Sequence, residues 1–576
     1  MAQTRPSSTT IRFGDFELDN VTGEVYCRGE RVKLAPQPST VLVLLAERAG
    51  ELVTREELRQ RVWGSDTYVD FEQGLNFSIR QIRTALGDDP NHPQFIETVP
   101  RRGYRFIAKA QKNATEHDNA IAVLPFENKT GDPGSQFLVD GLTESIIYRL
   151  TRIPELRVIP RSTVFRYGLA DKEPHEIGQE LQVRAVVIGR VLQAGDDLIL
   201  TIELLDVTHR REMWGQRYRK KLIDVFELQE NIANEVCDKL RLELSTSARH
   251  QMQKRDTEDL EAYRLYLRGR FFWNKRTERA INKSLAYFNE AIERDPGYAL
   301  AYAGLADAYI PLGYYTYLAP GDAFPKAKSA AARALEIDDS LAEAHGVLGN
   351  VAWLYDWDWA AAELELHAAL DLQPNVPRLH QVYAEYLTSQ GAFDQAHEEM
   401  RRALELDALS LPLNYIAGLP HYFGRNYQEA SDCCCKALEL DPNFYPARYL
   451  LGLAYLQQQQ FTDALDQLEH ARELSLGAPF VAGALGAAYG LAGRVDEART
   501  ILEELEHAKN QRYVSPYVLG TVFIGLNQPE RALGALENAF SVRCCRMVWL
   551  THDPLWDTAR DSARFRAVMS RMGFPH

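Results

Sequence analysis

Over residues 11–34 (IRFGDFELDNVTGEVYCRGERVKL) apolar and polar positions alternate with a period of two, and Gly and Asn mark the changes of direction. That pattern predicts a small antiparallel sheet. The spacing then lengthens to three and four. VLVLLAERAG predicts a helix with Ser39 or Thr40 as N-cap and Gly50 as its stop. VTREELRQRVWG predicts a second, with Thr54 as cap, Glu57 as its capping-box partner and Gly64 as terminator. A third, FEQGLNFSIRQIRTALG, ends at Gly87. FIETVPRRGYRFIA then predicts a hairpin, with strands near 95–99 and 103–108 about a turn at Pro100–Arg102.

Sheet, three helices and hairpin in that order are the parts of a winged helix-turn-helix, placed at 1–110. Residues 111–120 are polar and unpatterned, which predicts a linker. From 121 to 244 the runs IAVLPF and LRVIP flank an amphipathic helical stretch, FLVDGLTESIIYRLTRI. AVVIGRVLQ, DLILTIELLD and REMWGQRYR follow as strands, with a turn at Gly195–Asp197 and a closing helix near 224–242. This is a small α/β domain. Beyond 260 the chain repeats itself: Ala362, Ala396, Ala430, Ala464, Ala498 and Ala532 recur every 34 residues, as do Gly418, Gly452, Gly486 and Gly520. A 34-residue period of paired helices is the tetratricopeptide (TPR) repeat, whose small residues let antiparallel helices cross closely. About eight units are expected across 260–544, with the aromatic, off-register tail 545–576 as a cap. The fold class is therefore multidomain α+β: winged helix, small α/β domain, all-α TPR solenoid.

Charge sharpens this division. The chain of 576 residues carries 65 basic and 80 acidic side chains, net −15, yet residues 1–110 hold 15 of each. A neutral first domain can meet a polyanion through a local basic face, whereas the acidic remainder is repelled by one. The seven cysteines (Cys27, Cys237, Cys433–Cys435, Cys544–Cys545) lack zinc-ligand or CxxC spacing, which predicts reduced thiols, with one or two of the Cys433–Cys435 triplet facing a core. No apolar run reaches the roughly 18–20 residues of a membrane span, and MAQTRPSSTT has no apolar signal core, so a cytoplasmic location and no membrane partner are expected. The sequence contains no HExxH, GxSxG or P-loop; His175–Glu176 and His397–Glu398 sit in ordinary helical patterns. No catalytic residue, cofactor or metal is expected.

The chemistry lies in the third helix and the hairpin. Leu75, Ile79, Ile82 and Leu86, spaced four, three and four apart, form an apolar stripe for the core. The opposite face carries Gln73, Phe77, Arg80, Gln81 and Thr84, with Asn76 and Arg83 on one flank. These polar groups can address base edges in a major groove; Phe77 can meet a thymine methyl or pack against a neighbouring loop. In the hairpin Tyr104, Phe106 and Ala108 alternate onto one face and Arg105 onto the other. Gly103 permits a close backbone approach, and Arg101 and Arg102 project from the tip. Arginines on a rigid hairpin beside a groove-reading helix suit phosphate contact or minor-groove insertion.

On GLNFSIRQIRTALGDDP…FIETVPRRGYRF, residues 11–108 resemble the OmpR/PhoB-type winged-helix domain. That resemblance implies a third helix in the major groove, a wing along the minor groove, and a loop at 64–73 (GSDTYVDFEQ) facing RNA polymerase. No phosphoacceptor receiver domain is evident, although the output domain is of the phosphorelay kind. Winged helix followed by TPR resembles HilA-type regulators; CadC-type sensors begin alike but then cross a membrane. Residues 121–244 resemble the TolB-N-like domain on AVLPFENKTGDPGSQFLVDGLTESI and LRVIPRSTV, which implies a ligand or protein interaction role. Within it NKTGDPGS is either an anion-binding nest or a plain connecting loop.

In the array, Tyr415, Leu419, Tyr422, Tyr449, Leu453 and Leu456 are expected either to line an inner groove for a peptide or to serve ordinary packing between repeats. The function expected is a sequence-specific transcriptional regulator of double-stranded DNA that senses a protein or ligand through its array, as a homodimer on DNA in one form of the reading. A TPR scaffold whose winged helix docks protein is the alternative, and an accessory subunit of a signalling enzyme a third.

Overall fold

The computed structural model describes every residue except 1–9, 15, 20–22, 28–29, 51, 60–61, 63–70, 91, 101, 109–110, 113–118, 154–155, 168–171, 196, 222–223, 241–255, 276 and 575–576. Residues 1–119 and 120–576 form two compact units.

In the first unit, strands β1 (Thr10–Phe13), β2 (Phe16–Asp19), β3 (Val25–Cys27) and β4 (Glu30–Val32) precede helix α1 (Pro36–Glu47). Then come β5 (Leu52–Thr54), α2 (Arg55–Leu58), α3 (Phe71–Leu86), β6 (Ile96–Val99), β7 (Gly103–Phe106) and β8 (Gln111–Lys112). Two antiparallel sheets result, ordered β4-β3-β2-β1-β8 and β5-β7-β6. The stripe of α3 faces inward: Leu75 and Ile82 are fully buried, and Ile79 and Leu86 nearly so, against Leu42, Leu45 and Phe106. Phe13 meets Phe106 edge-on at 4.9 Å, closing the core between sheet and hairpin.

Local signals held where the partner was near in sequence. Thr54 and Glu57 form the capping box at α2, and Gly87, at φ +66°, ends α3. The cap of α1 differs from expectation. The helix starts at Pro36, whose missing N–H costs nothing in a first turn, and Ser39 lies inside it with its hydroxyl donating to the Gly23 carbonyl. The expected linker also begins later, because Gln111 and Lys112 pair with Arg12 and Ile11. Gly64 and most of the 64–73 loop lie outside the described residues.

The second unit opens with an α/β body. Its elements are β9 (Ala120–Val123), β10 (Glu127–Asn128), α4 (Gln136–Thr151), β11 (Arg157–Val158), α5 (Arg161–Val164), α6 (Pro174–Glu180), β12 (Ala185–Ala194), β13 (Asp197–Asp206), β14 (Arg211–Lys221) and α7 (Val225–Leu240). The sheet order is β11-β9-β12-β13-β14, with β10 beside β12. β11, β9 and β12 run parallel, and β12–β14 form an antiparallel meander turning at Gly195, φ +63°.

Eight helix pairs follow among the described residues, from Leu260–Trp273 with Glu278–Arg294 to Pro516–Gly525 with Pro529–Ser541. The six alanines on the 34-residue period are all fully buried. A Cβ at Gly452 would sit 2.6 Å from Leu468 Cγ and 3.1 Å from the Ala464 carbonyl, so the helices of that pair cross where only glycine fits. A second periodic device was not foreseen. His345, His380, Asn414 and Arg448 each reach the backbone carbonyl six residues earlier, at Asp339, Pro374, Ala408 and Pro442. Each bond ties a first helix to the turn before it and satisfies a carbonyl of that turn.

The first helix of the array contributes Tyr263 and Leu267 to the core of the body. α4 is covered on a second side by the helix Leu260–Trp273, where a Cβ at Gly141 would lie 2.7 Å from Leu267. Tyr263 hydrogen-bonds Ser145 and Gln229, and Glu144 is clasped by Arg161 and Arg270. Further along, Arg157 and Arg166 cap backbone carbonyls at Glu405, Leu409 and Leu440.

Candidate nucleic-acid interface

On α3 the face opposite the core is open. Phe77 is 59% exposed, and Gln73, Arg80 and Thr84 are exposed while Gln81 is half-buried. The flank is committed to structure instead. Asn76 Oδ1 accepts the Tyr104 hydroxyl at 3.0 Å, and Arg55 donates to that same hydroxyl at 3.2 Å. Arg83 Nη2 donates to the Ile96 carbonyl at 2.8 Å and to Thr98 Oγ1 at 2.9 Å, with the Asp88 carboxylate 3.8 Å from its Nε. Asp88, absent from the sequence reading, accepts the amides of Gln94, Phe95 and Ile96 and so fixes where the hairpin starts. Its one signal is position: an aspartate just after the helix-ending glycine and before an extended run.

The hairpin therefore cannot drift from the helix. Arg102 is exposed at its tip, with its amide donating to Val99 O at 3.1 Å; Arg101 lies outside the described residues. Arg105 points away from the core but is paired with Glu97 at 3.0 Å, both partly exposed. Gly103 permits the close approach expected of it, and the chain that approaches is β5: its Cβ would stand 2.1 Å from the Val53 carbonyl. Beside α3, a cleft of about 1070 Å³ places Arg80, Gln81 and Thr84 across from Arg31 and Lys33, two basic positions that the sequence reading passed over.

In the array the strip of Tyr415, Leu419, Tyr422, Tyr449, Leu453 and Leu456 faces inward but is not open. Leu419, Tyr422, Leu453 and Leu456 are buried, and the two remaining tyrosines partly so. All but Leu456 border a space of about 90 Å³ that Arg546, Trp549, Asp553 and Leu555 also line. The tail packs on the last pair, where Trp556 meets Tyr517 and Arg564 pairs with Glu537, and it also reaches back along the array. Trp549 stacks on Phe423 at 4.8 Å and meets Trp353 edge-on at 5.5 Å. Arg543 reaches the Tyr355 carbonyl, Arg425 pairs with Asp557, and Trp359 donates to the Met572 carbonyl. Trp549, Leu555 and Trp556 are buried along this route, which removes their apolar surface from water.

Two minor readings resolve. In NKTGDPGS, Asp132 Oδ1 already takes the Gly134 amide and Asn128 bridges to Ser135, which makes this a connecting loop. Of the cysteine triplet, Cys434 is fully buried, Cys433 partly and Cys435 exposed; all three are free. Burial pushes the Cys434 thiol well above its usual range.

A winged helix whose third helix exposes its outer face, joined in sequence to an α/β body and a TPR-like array, is the architecture of a DNA-binding regulator. Residues 29–106 match the family model described as transcriptional regulatory protein, C terminal. Residues 117–235 match the HilA/YgeH-like transcriptional regulator second domain, and 424–505 match anaphase-promoting complex, cyclosome, subunit 3. The transcriptional regulator HilA of Salmonella typhimurium is 26% identical over 438 residues, 74% of this chain and 75% of that one. The phosphate regulon regulatory protein PhoB of Rhizobium meliloti is 38% identical over 97 residues, 17% of this chain and 42% of PhoB. A protein of Rhizobium meliloti named as an adenylate cyclase is 29% identical over 244 residues, 42% of this chain and 41% of its own length. The chain is a DNA-binding transcriptional regulator with a TPR-like C-terminal region. Among the described residues no helix is long and apolar enough to cross a membrane.

Proposed function

We propose that α3 enters the major groove of a specific duplex through Gln73, Phe77, Arg80, Gln81 and Thr84, while Arg102, with Arg101, meets the phosphate backbone at the adjoining minor groove. Asn76, Arg83 and Arg105 act in this reading by holding helix and hairpin in register. The observation that carries it is the exposed face of α3 beside a hairpin tied to it through Arg83, Asp88 and the Asn76–Tyr104 bond. A surface fixed before binding loses little conformational entropy on docking, which favours sequence discrimination.

Residues 120–576 are the receiving unit in this proposal, without catalysis of their own. They take a protein partner or ligand and alter the DNA-bound state in the cytoplasm; a peptide at Tyr415 and Tyr449 has to share that strip with residues 545–559. RNA polymerase, through the 64–73 loop, and a second copy of the chain on DNA complete the set of partners.

A gel-shift titration against salt tests the DNA reading. About four phosphate contacts give a log–log slope near −3.6 at roughly −0.9 each. Arg102→Ala weakens binding to every duplex and flattens that slope by about one contact. Arg80→Ala costs about 1–3 kcal/mol on the selected site and relaxes one base position. If both variants bind selected and random duplex as the parent does, the winged helix docks protein and the scaffold reading replaces this one.

A further inference from the structure

The cleft of about 1070 Å³ beside α3 lies on the flank turned away from the hairpin. Asn76 and Arg83 bind the hairpin on one side of the helix. Gln81 and Ala85, each two residues from Arg83 and so nearly opposite it at about 100° per residue, line the cleft. The rest of its lining comes from residues 23–25, from 31–35 and from the first turns of α1. β3 pairs with β4, and Ser39 of α1 donates to the Gly23 carbonyl, so this lining is fixed before anything binds.

Its charge is one-sided. Arg31, Lys33 and Arg80 line it, and among the described lining residues Glu24 is the one acid. Glu24 takes Arg31 at 2.6 Å and the Tyr26 hydroxyl at 2.8 Å. That pair is weak, because the Arg31 side chain stays 65% exposed. Lys33 and Arg80 are exposed and form no ion pair among the described residues. Two positive charges in excess thus face one cleft, in a domain whose 15 bases and 15 acids otherwise cancel. Such a local basic face attracts a polyanion.

The dimensions of a duplex say which part of it comes here. A major groove about 12 Å wide is filled by a helix about 10–12 Å across with its side chains. Each flank of a groove-bound helix therefore stands against one sugar–phosphate chain. The hairpin with Arg102 answers one strand, and the other runs along the flank that carries the cleft. We infer that this cleft receives the backbone of that second strand, with Lys33 and Arg31 as its phosphate contacts. DNA suits the cleft better than an acidic protein segment does, because Arg80 and Thr84 belong both to it and to the exposed face of α3. The inference rests on α3 entering the major groove, and it adds phosphate contacts outside both helix and hairpin.

The test uses the full chain, a selected duplex and a random one, in gel shifts across a salt series. Lys33→Ala is expected to weaken both duplexes by similar factors and to flatten the log–log salt slope by about 0.9, the share of one phosphate. Lys33→Glu weakens them further, Lys33→Arg restores the parent's binding, and all three keep its circular dichroism. In ethylation interference, Lys33→Ala loses an interfering phosphate on the strand away from the hairpin, whereas Arg102→Ala loses one beside it. Parent-like binding by Lys33→Glu at every salt concentration overturns the inference. So does a Lys33→Glu defect confined to a second, slower band, which would make the cleft an interface between copies. If Arg80→Ala and Arg102→Ala weaken binding and Lys33→Glu does not, the cleft alone fails. If none of the three has an effect, the groove reading of α3 fails and takes this inference with it.

Discussion

Arg80 and Arg83 sit one turn apart on the same helix and share one chemistry, yet they end in different roles. Arg80 is exposed on the outer face of α3, whereas Arg83 is spent on the Ile96 carbonyl and Thr98 across a loop. The helical wheel put Arg83 on a flank but could not choose, because its acceptors lie 13 and 15 residues further on. Arg83→Ala is therefore expected to destabilise the first unit by about 1–3 kcal/mol, the range for stranding buried hydrogen-bond partners. It should weaken selected and random duplex by similar factors. Thermal denaturation beside a gel shift checks this; a change confined to one base position would make Arg83 a reader after all.

At the scale of elements, periodicity in the sequence was a sound guide to which face turns inward. The α3 stripe and the 34-residue alanines are buried, and both follow from side-chain spacing along a 3.6-residue helix. Reasons attached to single residues were less legible. Gly103 was expected to permit a close backbone approach, but the sequence did not name the chain that approaches, which is β5 with its Val53 carbonyl at a distance no Cβ tolerates. Gly103→Ala should push β5 off β7, breaking the Thr54–Gly103 pairing, at a cost of about 1–3 kcal/mol in the first unit. Loss of amide-exchange protection at β5 would report it. Protection equal to the parent's would show that β5 does not depend on the glycine.

For the molecule as a whole, the acid that joins body to array makes the junction sensitive to pH. Thr163 and Ser162 bond the Asp407 carboxylate, and burial pushes its pKa up to about 6 from an ordinary 3.8. Between those values the folded chain holds a proton that the unfolded chain has released. The contribution of this group is thus greatest at low pH and declines as pH rises through about 6. Asp407→Asn removes the titration, so the variant should gain on the parent by up to about 3 kcal/mol from roughly pH 4 to pH 7, at ~1.4 kcal/mol per unit. Chemical denaturation of both at the two pH values decides; parallel profiles would place the proton elsewhere.

By itself the sequence determined the elements and their order: the stripe of α3, the capping box at Thr54 and Glu57, the hairpin, and the repeat with its close helix crossings. Each is set by neighbours within a few residues, or by a period that every unit restates. Tertiary structure alone decided that the first array helix joins the core of the body around Glu144 and Tyr263, and that Trp549 of the tail stacks on Phe423. Those outcomes depend on which apolar surfaces find each other across a hundred residues or more, and local spacing carries no record of such encounters.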